Sequence, residues 1–291
     1  MAKSKKQAKV EGSVRPPRMG VMSNLFRGDP EEIAHLLLNF RLESVQILPN
    51  FPSLRFATKE DITPQQCKRA AEPFLNAELV VAGISAHTNF VDPDKRRRKR
   101  MIQRFDALIE CCQDFGTTYV VTETGTLNTD HPWEDYSDNH KPETLAAFIE
   151  ALKPSAKLAK KAGVTILLEG YLYHVVSTVQ EALHVREELG ESIGFVMDPG
   201  NYFTRGMANS AKKHLKDIFT AIGPYAPIAH AKDVRYAGGE LTTPRAGTGI
   251  LDYKEFLELI DQFQPECPLI IEQIRPEELQ ETLDFIDRFF E

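Results

Sequence analysis

Four side chains of metal-ligand type stand at the ends of short apolar runs. Ile166-Leu167-Leu168 leads into Glu169, Phe195-Val196-Met197 into Asp198, Ile228-Ala229 into His230 with Ala231-Lys232 beyond it, and Ile270-Ile271 into Glu272. An unpaired carboxylate pressed against an apolar strand costs several kcal/mol, and three in one ring would also repel one another. Something positive must compensate. Lys232 and nearby arginines are one answer, and taken singly Asp198 or Glu272 would serve as a helix cap or as half of an ion pair. One divalent cation answers all four positions together. Three carboxylate oxygens and one imidazole nitrogen, with positions left for water, suit Mn2+ first, with Mg2+, Co2+ or Zn2+ as alternatives.

The elements that must bring these residues together repeat along the chain. Eight short runs rich in Val and Ile are read as strands: Met19–Met22, Ser44–Leu48, Leu79–Ile84, Thr117–Thr122, Val164–Glu169, Ile193–Asp198, Pro227–Lys232 and Pro268–Gln273. They are nearly uniformly apolar, as strands of a parallel sheet covered on both faces must be. Amphipathic segments follow them. Asp92-Pro93 opens one whose Met101, Phe105, Leu108, Ile109 and Cys112 recur at helical spacing; Pro142–Ala162, Ser177–Leu189, a helix starting near Asp252 and a closing helix Pro276–Phe290 are others. Eight such units ending in a helix predict an α/β fold, a (β/α)8 TIM barrel, with the ligand-type residues at the carboxyl ends of the strands, where barrel enzymes build their sites. The rival, a doubly wound open sheet, commonly carries a Gly-rich phosphate turn after its first strand, and Met22-Ser23-Asn24 offers none. The expected organisation is a basic, disordered tail over residues 1–18 and a single barrel domain over residues 19–291.

The order Glu, Asp, His, Glu on strands five to eight resembles the xylose isomerase-like TIM barrels, the sugar phosphate isomerase/epimerase family. The strings that carry the resemblance are Leu168-Glu169-Gly170, Met197-Asp198-Pro199-Gly200-Asn201, Ala229-His230-Ala231-Lys232-Asp233 and Gly247-Thr248-Gly249-Ile250-Leu251-Asp252-Tyr253. Each is short, and their order and spacing together are the specific signal. The resemblance implies a metal held by Glu169, Asp198, His230 and Glu272, with Glu169 and Glu272 as the catalytic pair on opposite sides of the carbon that exchanges its proton. A metal ion that polarises a carbonyl stabilises the developing enediolate by several kcal/mol, and a positioned base adds about 10²–10⁴-fold. Return of the proton to the same carbon epimerises; return to its neighbour isomerises.

Further residues are candidates for substrate contact. His87 occupies the place of a pocket-lining family histidine, or else caps its loop. Glu123 could bond substrate hydroxyls, orient His87, or pair with a nearby cation. Asn201 stands where many family members carry a histidine, and an amide there is suited to a hydroxyl. Lys232 shares its facing with His230 and could meet an anionic or enolate oxygen, or balance Glu169 or Glu272. Arg235 is preferred over Arg245 as an arginine that reaches substrate oxygens, with an exposed loop residue as the alternative. Gly247-Thr248-Gly249 could cradle a phosphate through its amides, or simply form a turn. The loop Leu127–Lys141, with Trp133, is read either as a lid, subunit contact or stacking surface, or as plain loop packing.

Charge and composition restrict the partners. In 291 residues, 35 Lys+Arg against 42 Asp+Glu leave a net charge of −7, so nucleic acid is an unlikely partner despite the run Lys95-Arg96-Arg97-Arg98-Lys99-Arg100, read as a solvated helix face. No stretch reaches the roughly 18 apolar residues of a membrane span. The four cysteines, Cys67, Cys111, Cys112 and Cys267, lack metal or disulfide spacing, and a reducing cytoplasm is expected. The expected substrate is a small carbohydrate, and the resemblance suggests a homo-oligomer. Three other functions fit a barrel of this kind: a dehydratase on the same metal; an abasic-site endonuclease, whose extra histidines are replaced here by Glu123 and Asn201; and a non-catalytic sugar-binding barrel.

Overall fold

Alternation within each strand divides the chain's apolar residues between two cores. In one, Met22, Ala82, Val121, Leu167, Val196, Ile228 and Ile270 meet inside a ring of strands; in the other, their sequence neighbours, among them Val21, Val120, Ile166, Leu168, Phe195, Met197, Ala229 and Ile271, pack outward under helices. Both faces of the sheet are therefore buried, as in a parallel sheet covered on both sides. The computed structural model describes residues 18–237 and 240–290. The tail expected over residues 1–18 lies outside them, apart from Arg18, which pairs with Pro268 in the barrel.

The barrel strands are β1 (Arg18–Met22), β2 (Ser44–Ile47), β3 (Val80–Ser85), β4 (Tyr119–Glu123), β5 (Thr165–Glu169), β6 (Ile193–Met197) and β7 (Ile228–Ala231). A short antiparallel hairpin, β8 (Arg235–Ala237) with β9 (Glu240–Thr242), intervenes before the eighth barrel strand, β10 (Pro268–Ile271). Every barrel neighbour pairs in parallel, and β1 pairs with both β2 and β10, which closes the ring and rules out the open sheet. The fold is a (β/α)8 TIM barrel. The hairpin is an addition that the sequence reading missed, although Ala237-Gly238-Gly239-Glu240 carries a Gly-Gly hairpin signal.

Eight helices cover the ring: α1 (Pro30–Leu37), α2 (Pro64–Asn76), α3 (Lys95–Glu110), α4 (Pro142–Ala162), α5 (Val179–Leu189), α6 (Ala211–Ile222), α7 (Tyr253–Phe263) and α8 (Leu279–Asp287). Two starts differ from expectation. Helix α3 is capped by Asp94, whose carboxylate accepts from the Arg96 and Arg97 amides. Asp92, expected as the cap, is buried instead against the Arg97 guanidinium, because six consecutive basic residues at a positive helix end need a counter-charge there. The closing segment begins as a 3₁₀ turn, Pro276–Glu278, before α8, which buries Leu279, Leu283 and Ile286. All four cysteines are buried and free. Among the described residues no helix is long and apolar enough to cross a membrane.

Candidate metal centre

Strand alternation carries the inner core directly into a polar layer. Glu169 lies two residues beyond Leu167, Asp198 beyond Val196, His230 beyond Ile228 and Glu272 beyond Ile270, so each ligand-type side chain faces inward at the carboxyl end of its strand. One ligand atom from each lies within 4.8 Å of the others. His230 Nδ1 is 3.5 Å from Glu169 Oε1, 3.7 Å from Asp198 Oδ2 and 3.4 Å from Glu272 Oε2. Residues separated by more than a hundred positions therefore share one centre.

The donor set fits a divalent cation. His230 Nε2 lies 3.0 Å from Gln46 Oε1, and Gln46 Nε2 donates to Ser85 Oγ at 2.9 Å. The Gln46 carbonyl oxygen can only accept, so in the neutral imidazole the proton sits on Nε2 and the Nδ1 lone pair faces the carboxylates. Nδ1 is buried without a hydrogen-bond partner, as is Asp198 Oδ1. Burial disfavours a charged imidazole, but Glu272 and Glu169 outweigh it and raise His230 well above the ordinary histidine value. The four side chains thus draw positive charge to their shared centre.

Lys232 supplies part of that charge. Its Nζ lies 2.6 Å from Asp198 Oδ2, 2.7 Å from Glu272 Oε1 and 3.9 Å from Glu169 Oε1, and it is buried. Burial would release its proton, but these three carboxylates outweigh burial and hold the ammonium. Burial likewise opposes ionisation of Glu272, and Lys232 and His230 reverse the balance to keep it far below the usual carboxylate range. These contacts pair Lys232 with Asp198 and Glu272.

Above the centre opens a cavity of about 540 Å³. Its wall includes His87, Glu123, Asn201 and Lys232 with Glu169 and Glu272. His87 Nδ1 is 2.6 Å from Glu123 Oε2, so the glutamate orients the histidine. Burial lowers His87 and raises Glu123, but their mutual bond reverses both: the imidazole is raised and the carboxyl lowered. Asn201 Nδ2 donates to Glu169 Oε1 at 2.9 Å and so positions that carboxylate. Gly170 follows immediately, and a Cβ there would collide with the Tyr202 ring and hydroxyl, which is why Glu169 is followed by glycine.

Two expectations fall away from the wall. Arg235 is exposed on β8 and does not line the cavity, because the hairpin lifts it off the strand end. The Gly247 and Gly249 amides form no phosphate cradle: both donate to Asp233 Oδ2, at 3.1 and 2.9 Å. The Lys95–Arg100 run contributes nothing to the wall and is mostly exposed. Trp133 does line it, packed at 5.1 Å on His174 and edge-on to Tyr171 at 5.5 Å. Gln46 and Tyr171 were not foreseen. A glutamine inside the apolar run Ser44-Val45-Gln46-Ile47 was the available signal for the first, since a buried amide must have partners.

Known proteins are similar to this chain at several distances. The sequence profile of the xylose isomerase-like TIM barrel family matches residues 41–289. An inosose isomerase of Bacillus velezensis is 24% identical over 219 residues, covering 71% of each chain. Among solved structures, IOLI protein with a bound zinc atom superposes with a TM-score of 0.68 at 18% identity, covering 94% of this chain and 96% of that one. The 3-keto-D-glucoside 4-epimerase of E. coli, in apo form, gives a TM-score of 0.69 at 13% identity, covering 94% and 100%. With the profile spanning most of the chain, the protein belongs to the xylose isomerase-like TIM barrel family.

Proposed function

We propose that this protein is a divalent-metal-dependent isomerase or epimerase of a polyhydroxy ketone, moving a proton on the carbon next to the carbonyl. The observation that carries this reading is the convergence of Glu169, Asp198, His230 and Glu272 within 4.8 Å, with His230 Nδ1 unpartnered and its tautomer set by Gln46. The inosose isomerase and the epimerase among its relatives support the class, and the zinc of one relative supports a cation. Three carboxylates with one imidazole favour Mn2+ among the candidates. When bound, the ion supplies electrophilic stabilisation to the carbonyl oxygen as negative charge develops there.

The chain's own residues do the rest. One of the glutamates Glu169 and Glu272 takes the proton from carbon, leaving the bonding pair to form the enediolate, and the other returns a proton. Asn201 holds Glu169 and Lys232 holds Glu272, so each carboxylate meets the substrate in a fixed orientation. His87, held by Glu123, presents its remaining ring nitrogen to a substrate hydroxyl. The test is solvent-deuterium incorporation into a panel of ketoses and inososes, with and without added Mn2+. Exchange is expected with the native chain and is expected to fall by at least 10²-fold in Glu272→Gln. Full exchange in that variant would remove Glu272 from the mechanism.

A further inference from the structure

We propose that a second cavity, between the segment after β2 and helix α3, binds a phosphate monoester with an apolar body, and that Arg104 takes its phosphate. This cavity, of about 490 Å³, is lined by residues 48–57 and Arg104, and it shares none of them with the cavity above the metal centre. Arg104 Nε donates to the Phe56 carbonyl oxygen at 2.6 Å, which fixes the plane of the guanidinium. Among the described residues its two terminal nitrogens have no hydrogen-bond partner and no carboxylate pairs with it. Burial alone acts on this group and pulls it below the ordinary arginine value, with no acid opposing. Arg97 and Arg245, by contrast, meet Asp92 and Glu281. A half-buried cation without a counter-charge is costly, and the free fork of a guanidinium matches two oxygens of a phosphate.

The surroundings favour a dianion over a single carboxylate. Arg96 and Arg100 precede Arg104 by two turns and one turn on the same side of α3, and neither forms an ion pair among the described residues. Long side chains on a helix lean toward its N-terminus, so Arg104 reaches toward Arg100. Stacked like charges near a helix N-terminus, where the macrodipole is already positive, destabilise the helix, and a dianion beside them relieves both effects. Arg55, also on the cavity wall, is committed to Asp61 at 3.3 Å and adds no free charge. Carbon has its own place in the cavity, because Pro49, Phe51, Leu54 and Phe56 are buried and line it. Inorganic phosphate would leave that apolar surface against water, whereas an ester lays its body on it.

The test is calorimetric titration of the full-length protein with phenyl phosphate and with inorganic phosphate, each with and without Mn2+. Phenyl phosphate is expected to bind equally in both conditions, and about tenfold or more tighter than inorganic phosphate. Arg104→Met is expected to weaken it by at least about 10-fold, and Arg100→Gln, at an exposed position, by about 3-fold. Arg104→Met removes an unpaired charge, so its melting temperature is expected to hold; the exposed Arg100→Gln keeps the test decisive if it does not. Failure of phenyl phosphate to bind, undiminished binding in either variant, or binding that requires Mn2+ overturns the proposal. Inorganic phosphate that binds as tightly as the ester overturns the role of the apolar wall, and with it the assignment to an ester.

Discussion

Gln46 is the residue on which the imidazole of the centre depends. It accepts from His230 Nε2 and donates to Ser85, and its loss would free the imidazole to carry its proton on Nδ1. Gln46→Leu is expected to weaken Mn2+ affinity by about 10–100-fold, read by calorimetric titration. Unchanged affinity would show that the tautomer is set elsewhere. The His87–Glu123 pair makes a prediction in pH. His87 is raised above its ordinary 6.5, so its contribution to stability is whole below that value and is lost as pH climbs through the raised one; Glu123 is lowered from 4.5, so its contribution is whole above that value and is lost as pH falls through the lowered one. The stability difference between the native chain and His87→Gln is therefore expected to be greatest between pH 4.5 and 6.5 and to shrink on both sides, by denaturant unfolding at a series of pH values.

At the scale of elements, two contacts hold the rim of the barrel where the site opens. Asp233, two residues beyond the end of β7, ties down the segment that runs into α7 by accepting the Val234, Gly247, Gly249 and Leu251 amides. Asp233→Ala leaves those amides unmatched and is expected to destabilise the protein by roughly 1–3 kcal/mol for each donor left buried and unsatisfied, less where water enters. A loss below about 1 kcal/mol in chemical denaturation would mean that the loop is held by other contacts. On the opposite wall, fully buried Phe105 of α3 meets Phe90 edge to face at 5.2 Å. Phe105→Ala should cost about 3–5 kcal/mol, measured in the same way, because α3 carries its strongly charged face outward and its adhesion rests on a few apolar side chains.

For the molecule as a whole, a cation held as proposed by the charged layer at the barrel mouth would couple folding to its binding. Ions that bind only the folded state stabilise it by about 2.7 kcal/mol at a hundred times their dissociation constant. Stripping with a chelator is expected to lower the melting temperature and restoring Mn2+ to recover it. Lys232 limits the loss, since it balances Asp198 and Glu272 without any ion. Lys232→Met leaves that buried charge uncompensated, a change that commonly costs about 3–5 kcal/mol, so the gap between stripped and loaded melting temperatures should widen. An unchanged gap would show that Lys232 does not share the centre's charge balance.

The sequence alone determined the barrel, because uniformly apolar strands separated by amphipathic helices admit few other closed arrangements, and it marked Glu169, Asp198, His230 and Glu272, because a charge at the end of an apolar strand is too costly to be incidental. It also gave His230 and Lys232 one facing through their spacing of two. Only the tertiary structure decided what each polar group bonds. That the Asn201 amide meets Glu169, that Asp233 consumes the glycine-loop amides, that Arg235 stands on a hairpin away from the wall, and that Gln46 fixes the imidazole all depend on partners distant in sequence. Strand periodicity is a local property of the chain, whereas hydrogen-bond partnership across a closed barrel is set by register and closure, which no local pattern encodes.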